Sequence, residues 1–205
     1  MLTPVAKPAP TDAPIEALLA ARWSPRAFDP GRRVEPEKLA RLFEAARWAP
    51  SCFNEQPWRY LIFDGSDPDA RRNAEACLTD GNAWAKRASV LLVGVARETF
   101  SHNGKPNRHA IHDLGAASMA LVLQATALGL VAHQMGGFNP AMARSFFGIP
   151  EGFEPMTMIA VGYPGEQEEL SPDRLKSETG PRSRKPQRAF VFHGHWPASA
   201  AERTA

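Results

Sequence analysis

Two short basic segments stand near opposite ends of the chain. Arg22-Trp23-Ser24-Pro25-Arg26 offers two guanidinium groups and a hydroxyl within one turn of chain, and Arg182-Ser183-Arg184-Lys185 repeats that chemistry near the C-terminus. The planar guanidinium fork pairs two anionic oxygens at once, so either set suits a phosphate or a carboxylate. A solvated basic surface explains either segment taken alone. A third segment, Ala49 to Trp58, combines Ser51, Asn54 and Gln56 with Phe53 and Trp58. Hydroxyl and amide donors beside aromatic rings suit a planar heteroaromatic ligand. Turn capping by Asn54 and Gln56 is the plainer alternative.

Other reactive residue types carry less. His102, His109 and His112 with Asp113, and the His193-Gly194-His195 pair, have spacing too loose to specify a metal, and no metal site is expected. Cys52 lacks a CxxC partner and reads as a small buried hydrophobe. Neither a Walker loop nor a Rossmann Gly-x-Gly-x-x-Gly is present.

Positioning these groups requires a folded domain, and the composition supports one. The chain has 205 residues with 43% hydrophobic and 22% charged, enough for a single sizeable core. With 24 basic against 22 acidic residues, a histone-like nucleic-acid binder is disfavoured, and no nucleic-acid partner is expected. Two cysteines cannot form a disulfide framework. The Pro/Ala-rich start lacks the apolar region of a signal peptide, so 1–14 reads as a mobile arm and the expected setting is cytoplasmic. The single domain spans 15–195, and 196–205 forms a tail.

Along the chain, Asp12 can cap a first helix bearing Ile15, Leu18 and Leu19 on one face, broken by Pro25. Leu39, Leu42, Phe43 and Ala46 form one apolar stripe after Pro36, predicting a helix that stops near Ala49 before Pro50. Strands are predicted over Arg59–Phe63, Ser89–Val95 and Met156–Gly162, and helices over Asp67–Leu78, about Ile111–Leu128 and from Asn139-Pro140 to Phe147. The element around Ile111–Leu128 is apolar on nearly every face, but Asp113, Ser118, Gln124 and Thr126 interrupt it. It therefore reads as a central core or dimer-interface helix, with no membrane span. Glu166 to Arg188 is polar, and Phe190-Val191-Phe192 resembles a last strand. No βαβ period repeats, which favours an α+β domain.

Arg-x-Ser-x-Arg-x-Phe, followed by a helix ending in Ala-Pro-Ser-x-x-Asn-x-Gln-Pro-Trp, resembles the FMN-dependent nitroreductase family. Gly81-Asn82-Ala83-Trp84, Asp113 to Ala117, Gly136-Gly137-Phe138, Phe147 to Pro150, Val161 to Pro164 and Arg182 to Pro186 continue the likeness in order, over about residues 15 to 195. The resemblance implies an α+β fold with a mainly antiparallel sheet flanked by helices, in a homodimer whose terminal extensions wrap the partner. It also implies FMN as cofactor, NADPH or NADH as transient donor, and a small-molecule electron acceptor such as a nitroaromatic or quinone in a ping-pong cycle. On that likeness Arg22, Ser24 and Arg184 bind the phosphate, with Arg182 and Trp23 close by. Arg26 and Asn82 face the pyrimidine edge, where a cation stabilises reduced flavin. Pro50, Ser51 and Cys52 line the ring, and Asn54 reaches it from the partner chain. Gln134, Met135, Gly136 and Gly137 present backbone to the other face, with no essential catalytic side chain. Trp23 and Gly136 depart from residues common in relatives, and the polar loop Phe100 to His109 varies, so the acceptor is not carried over. A flavin-binding or flavin-processing protein of the same fold without reductase turnover is the alternative.

Overall fold

The computed structural model describes residues 7–197. The expected arm over 1–14 and tail over 196–205 lie partly outside those residues. Four strands form one antiparallel sheet: β1 (Trp58–Phe63), β2 (Val90–Arg97), β3 (Val131–Met135) and β4 (Phe153–Gly162), ordered β1-β2-β4-β3. This is the α+β architecture expected from the resemblance. Strand β2 is buried from Val90 to Ala96, because both faces of the sheet are covered.

Helix α2 (Pro36–Arg47) and the long α4 (Ala110–Ala127) cover one face. Leu42 and Ala46 meet Leu114, Leu121 and Ala125 over Leu92 and Ile159. Each fully buried leucine or isoleucine there contributes about 1.5–3 kcal/mol. On α4 the buried positions run Ala110, Asp113, Leu114, Ala117, Ser118, Leu121, Val122 and Ala125, the spacing of a single helical stripe. The opposite face leaves Ile111 half exposed. Helices α3 (Pro68–Cys77) and α5 (Pro140–Phe147) flank the other face, where Ala74, Cys77 and Trp84 pack near Leu91, Val93 and Met158. Asp67 caps α3 by accepting from the amides of Asp69 and Ala70, both at 3.0 Å. Among the described residues, no helix is long and apolar enough to cross a membrane.

Four local expectations change. The first helix, α1, covers only Ala17–Ala21; Glu16 occupies its N-cap, without a side-chain bond, and Asp12 does not cap it. Ile15 just before it and its Leu18 and Leu19 remain exposed, so among the described residues that stripe meets no core. Phe190 to Phe192 form no strand: the amides of Phe190 and Val191 both donate to the Gln187 carbonyl in a turn, and among the described residues no strand pairs with the run. Conversely, β3 and α6 (Pro172–Thr179) were not foreseen. Strand β3 carries His133 and Gln134 at half-buried and exposed positions, which hides its alternation, and α6 presents mostly polar residues.

Candidate functional site

Between α1 and the core, Arg22 to Phe28 crosses as an extended segment whose end is anchored. Phe28 is buried, stacks on Trp84 at 6.0 Å and bridges to Pro164. A Cβ at Gly165 would stand 2.3 Å from the Phe28 carbonyl carbon, so this crossing requires glycine. The anchored segment meets the irregular stretch 181–184 at a cleft of about 250 Å³, which gathers Arg22, Trp23, Ser24, Arg26, Arg182 and Arg184. Lys7 and the α6 residue Ser177 also line it.

Electrostatically the cleft is crowded with cations. Arg22 donates to Ser24 Oγ at 3.4 Å. Burial, then the neighbouring Arg182 and Arg184, holds its guanidinium below the ordinary arginine range. An anion between these groups would offset both effects. Arg182 contributes differently: its guanidinium donates to the carbonyls of Lys7 at 2.6 Å, Ala20 at 2.8 Å and Arg22 at 2.9 Å. It staples the loop as well as charging the cleft.

Two residues that sequence reasoning missed hold the basic loop from below. Glu178 on α6 is fully buried and accepts from the amides of Arg26 at 2.8 Å and Ala27 at 3.3 Å. Among the described residues its second oxygen has no hydrogen-bond partner, and it lies 3.8 Å from the Arg26 guanidinium. His133 on β3 contacts the Pro25 carbonyl through Nδ1 at 3.0 Å and packs on Trp84 at 4.5 Å. A carbonyl only accepts, so Nδ1 carries the proton. Burial, with Arg26 and Arg22 nearby, pushes the His133 pKa down to about 4, and the ring is neutral at pH 7.

Beside this cleft, Asn82 lies in the 3-10 segment Asp80–Arg87, whose Trp84 ring the Arg26 guanidinium approaches at 5.9 Å. Asn82 Nδ2 donates to the Gly137 carbonyl at 2.9 Å, as does Thr79 Oγ1. The structure thus joins Asn82 to Gly137 and leaves Asn82 Oδ1 for a donor. Of the run ending β3, Met135 is buried and Gln134 exposed, while a Cβ on Gly136 would meet nothing within 4 Å. Open space beside that backbone permits a flat ligand to approach.

The loop Pro50 to Asn54 stands apart; none of Pro50, Ser51, Cys52 or Asn54 lines the cationic cleft. Phe53, Asn54 and Gln56 take positive φ of 53°, 56° and 51°, a strained run held by specific contacts. Cys52 N–H donates to the buried Asp113 carboxylate at 3.0 Å, and Gln56 N–H to Ser51 Oγ at 3.0 Å. Gln56 Nε2 donates to the Asn54 carbonyl at 2.9 Å, so these two amides do shape the turn. Cys52 is free and half-buried. Glu55 accepts from Ser101 N–H at 2.7 Å, clamping the polar Phe100–His109 loop onto this turn.

Residues 19–92 and 71–163 match the Nitroreductase family, and the chain belongs to that family. A solved oxidoreductase containing FMN is 37% identical, with a TM-score of 0.86 over 92% of this chain and 96% of that one. A nitroreductase family protein from Clostridium difficile 630 is 27% identical, with a TM-score of 0.66 over 87% of this chain and 97% of that one. An NADH dehydrogenase from Thermus thermophilus is 28% identical over 166 residues, covering 64% of this chain and 78% of that protein.

Proposed function

We propose that this chain is an FMN-dependent oxidoreductase that draws electrons from NADPH or NADH and delivers them to a nitroaromatic, a quinone or a related electrophile. The carrying observation is the cationic cleft, where Arg22 and Arg184 stand near Ser24 with no carboxylate among the described residues that line it. Two guanidinium forks and a hydroxyl fit a phosphate monoester. The open backbone at Gly136 fits the approach of a planar ring. The FMN-containing relative supports the cofactor and the Thermus protein supports the nicotinamide donor.

On this reading Arg22, Ser24 and Arg184 hold the phosphate, with Arg182 fixing the loop. Arg26 and Asn82 serve the pyrimidine edge: the guanidinium supplies positive charge, and Asn82 Oδ1 accepts from a ring N–H. Pro50, Ser51 and Cys52 line the ring, and Gln134 to Gly137 offer backbone donors. When bound, FMN supplies two-electron chemistry, alternating between donor and acceptor in a ping-pong cycle. The side chains bind and orient; none is required as a general acid or base.

A homodimer completes the reading, with Asn54 supplied by the second copy and the terminal extensions wrapping it. Exposed Ile15, Leu18, Leu19, Phe190, Val191 and Trp196 at both ends of the described chain support such burial. The test is the visible spectrum of the purified protein, followed by anaerobic addition of NADPH or NADH. Flavin bands that bleach and then return with a nitroaromatic or quinone are expected. Bands that neither nucleotide bleaches would replace turnover with flavin binding or processing, and a colourless protein that takes up no FMN would refute the site.

A further inference from the structure

Lys7 matches none of the motif residues, yet its contacts place it at the same cleft. Its Nζ donates to the Glu178 carbonyl at 2.5 Å and stands 4.9 Å from the Trp23 ring centroid. Its own carbonyl accepts from Arg182 at 2.6 Å, and Ala9 N–H donates to the Ala20 carbonyl at 2.8 Å. Residues 7–9 therefore form a strap along the C-terminal end of α1, fastened to α6 and to the guanidinium of Arg182. An ammonium group carries three donors. Among the described residues one is spent on Glu178, and the side chain lines the cleft with Arg22, Ser24 and Arg184.

We infer that Lys7 is a further binding residue for the phosphate group in this cleft, so that the N-terminal strap takes part in retaining the cofactor. The inference rests on the cleft's being the phosphate site. Lysine suits the position because it acts as a point charge with rotatable donors, while the neighbouring arginines supply the planar forks. A purely structural alternative has clear chemistry: Glu178 lies in the last turn of α6, where a cation favours the helix end whatever the cleft contains.

Comparing two flavins separates these roles. The full-length protein is equilibrated with FMN or with riboflavin, which lacks the phosphate, and flavin fluorescence gives both dissociation constants. Lys7→Ala is expected to weaken FMN binding about tenfold, the scale of one charge-assisted hydrogen bond, while riboflavin changes by less than about twofold. Lys7→Arg should recover most of the loss, and Lys7→Ala should flatten the salt dependence of FMN binding. Equal weakening of both flavins, or no change in either, overturns the inference. Arg22→Ala is the control. If it too leaves the preference for FMN over riboflavin intact, the cleft is not the phosphate site and the functional reading falls. If Arg22→Ala removes that preference and Lys7→Ala does not, only the role of Lys7 falls.

Discussion

Glu178→Ala is expected to destabilise this protein more than any change at the arginines it supports. The carboxylate is fully buried, accepts two backbone amides and faces the Arg26 guanidinium at 3.8 Å. Truncation leaves the Arg26 and Ala27 amides without an acceptor, at about 1–3 kcal/mol for each buried donor. It also strands a half-buried guanidinium and opens a cavity. Relief of the carboxylate's own desolvation offsets part of this, so the net loss is about 3–5 kcal/mol, the range for breaking a buried ion pair. In a chain of this size each kcal/mol moves the melting temperature by about 2–4 °C, giving a fall of about 6–20 °C. Glu178→Gln keeps an oxygen for the two amides but gives up the charge and turns an NH₂ toward Arg26, and is expected to recover about half the loss. Urea unfolding followed by circular dichroism measures both variants, with a lower midpoint and unchanged slope. An alanine variant within about 0.5 kcal/mol of the parent would show that the loop is held by other contacts.

His133 makes stability depend on acid. Unfolded histidine gains its proton near pH 6.5 and folded His133 only at about 4, so the folded state loses up to about 1.4 kcal/mol per pH unit as pH falls between those values. Unfolding across that window should show a shallower slope in His133→Asn; an identical slope would refute the assignment. At Gly137 a Cβ would lie 2.6 Å from Asn82 Nδ2 and 3.0 Å from Thr79 Oγ1, the donors to its own carbonyl. Gly137→Ala should cost about 1–3 kcal/mol in thermal unfolding, whereas Gly136→Ala, with nothing within 4 Å, should be neutral. Asp113→Ala removes the acceptor of Cys52 N–H, and amide exchange there should quicken by at least about tenfold, matching a lost bond of about 1.4 kcal/mol.

What the sequence made legible divides by the range of the interaction. The stripe at Leu39 to Ala46, the helix expected over Asp67 to Leu78 and the apolar run of β2 are local patterns, and they fold as read. Arg22, Ser24 and Arg26 announce anion chemistry because they crowd together along the chain, and the fold brings Arg182 and Arg184 to them. Phe190 to Phe192 mislead because apolar residues alone do not supply a pairing edge. Glu178 gave no signal: a lone acid in a polar stretch becomes a buried organiser only when α6 docks.

The organisers share one property, which is distance along the chain. Glu178 reaches Arg26 across 152 residues, His133 reaches Pro25 across 108, Arg182 reaches Lys7 across 175 and Asp113 reaches Cys52 across 61. Three of these four converge on the basic loop or its strap, and each bonds to backbone. That choice follows from electrostatics. A loop bearing Arg22 and Arg26 opposite Arg184 repels itself; Glu178 offsets Arg26 at 3.8 Å, whereas a carboxylate on Arg22 would neutralise the charge an anion site requires. Fixing the loop through its carbonyls and amides leaves the guanidinium of Arg22 unpaired with any carboxylate among the described residues while denying the loop freedom to relax away. Glu178 and neutral His133 thus let the fold bear the repulsion before an anion arrives. On the proposed reading, the binding free energy of a phosphate in this cleft would be set as much by residues that never touch it as by those that do.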